Sequence, residues 1–151
     1  MIKTVFIDLD DTILDFHKAE KIAITKTLQD FGLTVTEDVL GTYSAINKAH
    51  WEMLERGELT REQGLGGRLF DRFGLPVDAV ACARAYEQNL AIGHYFLPGA
   101  EEAVDRLSKK YRLFLVSNGT ASVQKGRMTS ANLYRFFEKV FVSQDIGFNK
   151  P

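Results

Sequence analysis

Thr4-Val5-Phe6-Ile7 runs directly into Asp8-Leu9-Asp10-Asp11-Thr12. Four strand-forming residues followed by acids and a threonine predict a buried strand that ends at a site. Strand periodicity puts Asp8 and Asp10 on one side of the chain, with Asp11 turned away from both. Two carboxylates so close repel each other unless a cation or a shared proton relieves them. The same string also describes a plain strand with an acidic turn, so its partners further along decide its meaning.

Beyond the acids the periodicity becomes helical. Phe16 to Phe31 carries Ala19, Ile22, Ala23, Thr27 and Phe31 at helical spacing, with Gly32 as a stop. Thr36 to Arg56 places Val39, Leu40, Tyr43, Ile46, His50, Trp51 and Leu54 on one face, and Gly57 ends it. Core packing accounts for His50 and Trp51 on that face. Thr60-Arg61-Glu62-Gln63 reads as a capping box for a third helix ending near Phe73-Gly74, with Arg68 and Arg72 on its exposed edge. Pro76-Val77-Asp78 opens a fourth helix through Val80, Ala83, Tyr86 and Leu90. Residues 15–94 hold no convincing strand, and are predicted to form a helical cap domain. Phe16 and His17 follow the acids closely enough to border a pocket, and His94-Tyr95-Phe96 reads as hinge and packing on the way back.

Pro98-Gly99 marks the return, followed by a helix from Ala100 to Lys109. Leu113-Phe114-Leu115-Val116 is a continuous apolar run, as expected of a central parallel strand buried on both faces, and it ends in Ser117-Asn118-Gly119. A helix near Ala121 to Ala131, a strand at Val140-Phe141-Val142 and a loop from Ser143 to Lys150 complete the chain. Strands near 3–8, 112–117 and 139–143 alternating with helices predict an α/β fold. The expected architecture is a doubly wound, Rossmann-like parallel sheet core built from 1–14 and 95–151, into which the cap is inserted.

Composition narrows the function classes. The 151 residues are 45% hydrophobic with eleven Phe, ample for a core. Nineteen basic and twenty acidic residues give a net charge of −1, and no basic stripe is interleaved with aromatics, so no nucleic acid polymer is expected as a partner. Cys82 is the only cysteine, which excludes an intrachain disulfide and fits a reducing cytoplasm; flanked by Ala81 and Ala83, it reads as a small buried filler. Met1-Ile2-Lys3 and then an acidic cluster within ten residues argue against a secretory signal. No apolar run approaches the ~18 residues of a membrane span, so a cytoplasmic location is expected.

In open α/β sheets ligands bind beyond the carboxyl ends of the strands. The predicted strand ends bring Asp8 and Asp10, the Ser117-Asn118-Gly119 turn and Lys150 to one rim. A carboxylate attacking an anionic phosphate needs its repulsion neutralised by a metal and a lysine. Hydroxyl and amide donors can then hold the equatorial oxygens. Asp145, near Lys150, reads as a solvated or helix-capping acid.

Over its whole length the chain resembles the haloacid dehalogenase-like hydrolase superfamily. The first motif of that family, D-x-D-x-[TV], matches Asp8, Asp10 and Thr12. The second, an apolar strand ending in Ser or Thr, matches Leu113 to Ser117, and the third, a lysine often followed by proline, matches Lys150-Pro151. The helical insertion is similar to the type 1 cap of the family. Leu14-Asp15-Phe16 and Gly147-Phe148-Asn149-Lys150-Pro151 resemble the pyrimidine 5′-nucleotidase branch.

The resemblance implies a phosphomonoester hydrolase whose substrate is a small phosphorylated metabolite, with nucleoside 5′-monophosphates favoured and sugar phosphates as the alternative. Asp8 would be the nucleophile. Asp10 would protonate the leaving group and later deprotonate water, and its backbone carbonyl would help Asp8 hold Mg²⁺. Thr12 would steady the turn, Ser117, Asn118 and Gly119 would bind the phosphoryl group, and Lys150 would offset charge. A phosphorylation receiver also pairs acids with a late Lys-Pro, but accepts phosphate on an Asp where this chain has Ser117. A dehalogenase has no need of the acid at Asp10, and a sugar-phosphate mutase usually carries Val in place of Thr12. The fourth, acidic motif of the family has no counterpart up to Pro151. The 151 residues then read either as a fragment of a longer enzyme or as a chain that by itself binds Mg²⁺ weakly and turns over slowly or only binds phosphate, with an exposed sheet edge beside Val5 and Phe6 that favours oligomers.

Overall fold

The structure, a computed structural model, describes residues 1–58 and 78–148. Three strands, β1 (Thr4–Ile7), β2 (Arg112–Ser117) and β3 (Lys139–Val142), form a parallel sheet in the order β1-β2-β3. Thr4 lies opposite Arg112 and Ile7 opposite Leu115. On the other side of β2, Leu115 faces Val140 and Ser117 faces Val142. This register brings the ends of β1 and β2 to the same rim.

The chain divides into two compact units, residues 1–19 with 90–151 and residues 20–89. In the first, Leu113 and Leu115 of β2 pack with Leu9, Ile13, Leu14, Val104, Met128 and Leu133 into one apolar cluster. Helices α4 (Ala100–Ser108) and α5 (Ala121–Ser130) contribute Val104 and Met128 to it. The alternate residues Phe114 and Val116 are only half-buried, so β2 alternates rather than being buried on both faces as its apolar run predicted. On that side Phe114 stacks between Phe6 and Phe141, at 5.3 and 6.4 Å between ring centroids, and Phe6 at the sheet edge remains 64% exposed. The aromatic row carries the apolar character of the run without closing over it.

The segment 143–150, expected as loop, begins with a single helical turn, α6 (Ser143–Ile146). Gly147 closes it in a left-handed conformation at φ +78, its amide donating to the Ser143 carbonyl at 2.9 Å. One turn is too short to display a helical period, which is why the pattern missed it.

Among its described residues the second unit holds helices joined by turns and no strand. It contains most of α1 (Phe16–Asp30) and of α3 (Ala79–Ile92), and all of α2 (Glu37–Glu55). Thr36 caps α2 through its hydroxyl, which accepts from the Val39 amide, and Asp78 caps α3 by accepting from the Val80 and Ala81 amides. Tyr43, Leu54, Cys82, Ala83 and Tyr86 are buried with Ala23, Ile24 and Leu28. Tyr43 meets Tyr86 edge to face at 5.4 Å, and burial pushes its phenol well above the usual range. The capping box at Thr60 and the residues Arg68, Arg72 and Pro76 lie outside the described residues. None of the described helices is long and apolar enough to cross a membrane.

Candidate active site

The turn after β1 is built by its backbone. The Ile13 and Leu14 amides both donate to the Leu9 carbonyl, at 2.9 and 3.0 Å, and the Asp11 amide donates to the Leu14 carbonyl at 2.8 Å. Asp11 sits at φ +60, a left-handed conformation that an Asp tolerates better than most residues. Leu9 points into the core and is buried, which leaves Asp8 and Asp10 on the opposite side, half-buried at the rim. The Leu9 amide donates to Asp8 Oδ1 at 2.7 Å. Asp11 turns away as alternation requires: its carboxylate accepts from the Phe16 amide at 3.3 Å and lies 3.9 Å from His17, both on the surface at the head of α1. Thr12 is exposed within the turn.

Asp10 and Ser117 are brought together by one side chain. Gln124 Nε2 donates to Asp10 Oδ2 at 3.0 Å and to Ser117 Oγ at 2.8 Å. Arg127 Nη1 donates to Asp10 Oδ1 at 2.6 Å and to Gln124 Oε1 at 3.0 Å. Arg127 is 0% exposed, whereas the Asp10 side chain is 27% exposed, so the pair runs from the interior to the rim. The guanidinium carbon lies 5.8 Å from the Phe16 ring centre. Among the described residues its Nε and Nη2 have no hydrogen-bond partner.

Neither Gln124 nor Arg127 was among the sequence candidates. The signal was present: Val123, Gln124, Arg127 and Met128 form the buried stripe of α5, with two long polar side chains on its apolar face. A polar residue on such a stripe must find a buried partner.

The turn after β2 is committed in part. Ser117 is buried, and the Gly119 amide donates to Ser143 Oγ at 3.1 Å. A Cβ at Gly119 would lie 2.8 Å from Gln124 Cγ, so the glycine leaves room for that side chain to cross. The Ala121 amide donates to Gln144 Oε1 at 2.7 Å, which ties the start of α5 to α6. Asp145 pairs on the surface with Lys125 at 2.9 Å, the solvated role expected of it. Lys150 lies outside the described residues. His94, at the return segment, sits against the Ser130 hydroxyl, which donates to the Ile92 carbonyl at 2.9 Å.

No group of three or more His, Cys, Asp or Glu side chains arranged to hold a metal occurs among the described residues. The Asp8 carboxylate and the Asp10 main-chain carbonyl carry hard oxygen atoms of the kind that Mg²⁺ takes as ligands. The Asp10 carboxylate is already engaged by Arg127 and Gln124.

The family profile for haloacid dehalogenase-like hydrolases matches residues 2–151. The chain is 34% identical to the HAD protein YfnB of Bacillus subtilis (strain 168) over 152 residues, covering 99% of this chain and 65% of that protein. It is 33% identical to the pyrimidine 5′-nucleotidase PynA of Streptococcus pneumoniae over 153 residues, covering 99% and 65%. A 25% match over 162 residues links it to the glyceraldehyde 3-phosphate phosphatase of Methanothermobacter thermautotrophicus, covering all of this chain and 67% of that protein. The crystal structure of B. subtilis YfnB bound to magnesium superposes with a TM-score of 0.88 at 33% identity, over 99% of this chain and 67% of that one. The chain thus spans about two thirds of the length of the relatives it matches, at 65% for both YfnB and PynA. By motif order, sheet topology and these likenesses, it belongs to the haloacid dehalogenase-like hydrolase family.

Proposed function

We propose that the protein hydrolyses phosphomonoesters through Asp8, with pyrimidine nucleoside 5′-monophosphates as its substrates. The observation that carries this reading is the anchored Asp10 carboxylate, which shares the Gln124 amide with Ser117 two residues beyond Asp8. A halide leaves without a proton, but an alkoxide needs one, so an acid held at this place suits an ester and not a haloacid.

In the first step an Asp8 oxygen attacks phosphorus and the bond to the ester oxygen breaks. Asp10 gives its proton to the departing alkoxide. In the second step Asp10 takes a proton from water as that water attacks phosphorus, and the bond to Asp8 breaks to release phosphate. Each Asp10 oxygen keeps a second lone pair beside its hydrogen bond, so Oδ2 can carry the proton without leaving Gln124. The Ser117 hydroxyl and the Asn118 amide would hold the phosphoryl oxygens, Thr12 would steady the turn, and Lys150 would offset negative charge. Mg²⁺ would be held by the Asp8 carboxylate and the Asp10 carbonyl, where it would neutralise charge between nucleophile and phosphate.

The substrate class rests on PynA and on the strings Leu14-Asp15-Phe16 and Gly147-Phe148-Asn149-Lys150-Pro151. A triose phosphate is the second reading, favoured by the archaeal phosphatase match. The test is phosphate release, with Mg²⁺ present, from UMP and dTMP against glyceraldehyde 3-phosphate and other sugar phosphates. Nucleotides should be turned over best, and Asp8→Asn should abolish release from every substrate. Activity that survives Asp8→Asn would sink the mechanism, whereas a preference for sugar phosphates would overturn the substrate alone.

A further inference from the structure

We infer that Arg127 and Gln124 are positioning residues for the proton-transferring carboxylate, and that they set how strongly the enzyme depends on its leaving group. The inference rests on Asp10 acting as the general acid, as proposed above. It assigns a role to two α5 residues that touch neither the attacking oxygen nor the phosphorus.

Asp10 stands in a turn, with part of its side chain in solvent, so its carboxylate needs an external restraint to keep one orientation. Arg127 supplies that restraint from below: it is wholly buried, and its Nη1 reaches Oδ1 at 2.6 Å. The same nitrogen donates to Gln124 Oε1 at 3.0 Å, which decides the orientation of the amide. Nε2 must then face Asp10 and Ser117, and it donates to both. Both carboxylate oxygens are thereby held from the α5 side, leaving the rim side for the substrate. The Ser117 hydroxyl is set by the same amide, so the proton donor and the proposed phosphoryl site share one rigid support.

Packing alone does not explain Arg127. Burying a guanidinium is costly, and here its Nε and Nη2 have no partner among the described residues. An apolar side chain of similar volume would fill the space without that penalty. A further feature serves the arrangement: Gly119 lacks the Cβ that would meet Gln124 Cγ at 2.8 Å.

The experiment measures kcat/KM, which reports enzyme phosphorylation, over phosphomonoesters of graded leaving-group basicity. UMP, whose alkoxide needs a proton, stands at one end and p-nitrophenyl phosphate, whose phenolate does not, at the other. Arg127→Lys and Gln124→Leu are compared with the wild-type full chain, and thermal melts confirm folding. Both variants should lose about 10²-fold on UMP, the scale of a small misplacement of a catalytic group, and only a few-fold on p-nitrophenyl phosphate. Equal losses on the two substrates, or none, would overturn the inference, because damaged packing does not discriminate between leaving groups. If Arg127→Lys fails to fold, Gln124→Leu alone decides. Asp10→Asn, run in the same series, separates this inference from its premise. Steeper leaving-group dependence in Asp10→Asn with none in the α5 variants defeats the inference alone; a flat Asp10→Asn series defeats both.

Discussion

Both units of the chain bury polar side chains, but they do so to opposite ends. In the helical unit Asn47 Nδ2 donates to Glu20 Oε2 at 2.8 Å and Asn89 Nδ2 donates to Thr27 Oγ1 at 2.9 Å, joining α1 to α2 and to α3. Glu20 and Asn47 are both buried, so their pairing is closed off from solvent. In the α/β unit the chain of contacts from Arg127 through Gln124 ends on a carboxylate that opens to the rim. The first arrangement fixes which helix faces meet. The second holds the proposed proton donor at a defined orientation. The two arrangements differ in which member is left at the surface: Asp10 reaches it, whereas Glu20 and Asn47 do not.

The sharpest way to break that comparison is Arg127→Met. The substitution leaves Asp10 unpaired but partly in water, so no buried charge is abandoned, and the melting temperature should hold or rise. Turnover of UMP should nevertheless fall by about 10²-fold. A loss of stability without a loss of activity would erase the distinction between the two units.

Asn47→Leu should do the reverse. It strands the Glu20 carboxylate in the helical interior, at a cost of about 1.5–3 kcal/mol for a lost hydrogen bond to a charged group. Urea titration followed by circular dichroism measures it, and Glu20→Gln with Asn47 intact should cost less. Gly126→Ala tests the close approach of α5 to Ala91, whose carbonyl oxygen would lie 2.7 Å from the new Cβ. Overpacking of this kind costs about 1–3 kcal/mol. The smallest effect should come from Arg112→Gln on the surface. Arg112 holds the Glu138 carboxyl below its usual range through a two-pronged contact at 2.9 and 2.8 Å. A depressed carboxyl stabilises above its unfolded pKa and loses that contribution as pH falls through the folded one. Any difference between wild type and Arg112→Gln should therefore be fullest at pH above the ordinary carboxylate value of 4.5 and fade as pH falls below it, and thermal melts at pH 7 should barely separate the two.

The strands were legible because each is an apolar run ended by a chemically distinctive string, as at Ile7-Asp8 and Val116-Ser117. The starts of α2 and α3 were legible too, at Thr36 and at Pro76-Val77-Asp78, although their capping contacts were not read. Asp8, Asp10 and Ser117 could be named because strand ends in such a sheet converge, and the register bears out that convergence for β1 and β2. Gln124 and Arg127 were not named because their meaning depends on a residue more than a hundred positions away, and on a helix long polar side chains ordinarily face water. Asn47 was missed in the same way: it completes the buried stripe of Tyr43, His50 and Leu54, yet an Asn reads as surface. Local patterns show where the backbone goes; partners far along the chain decide which polar side chains follow it inside.

The lone thiol has a further use. Cys82 lies on α3 in the helical unit, fully buried, and burial pushes its pKa up, so both access and thiolate character protect it from reagents. With no second cysteine to confuse the signal, the rate at which an aromatic disulfide reagent labels it clocks how often that unit opens. Labelling should be slow in wild type and faster in Asn47→Leu, but unchanged in Arg127→Met. A rate that rose with Arg127→Met would mean that the two units open together. One sulfur atom thus reports, in real time, whether this protein breathes as one body or as two.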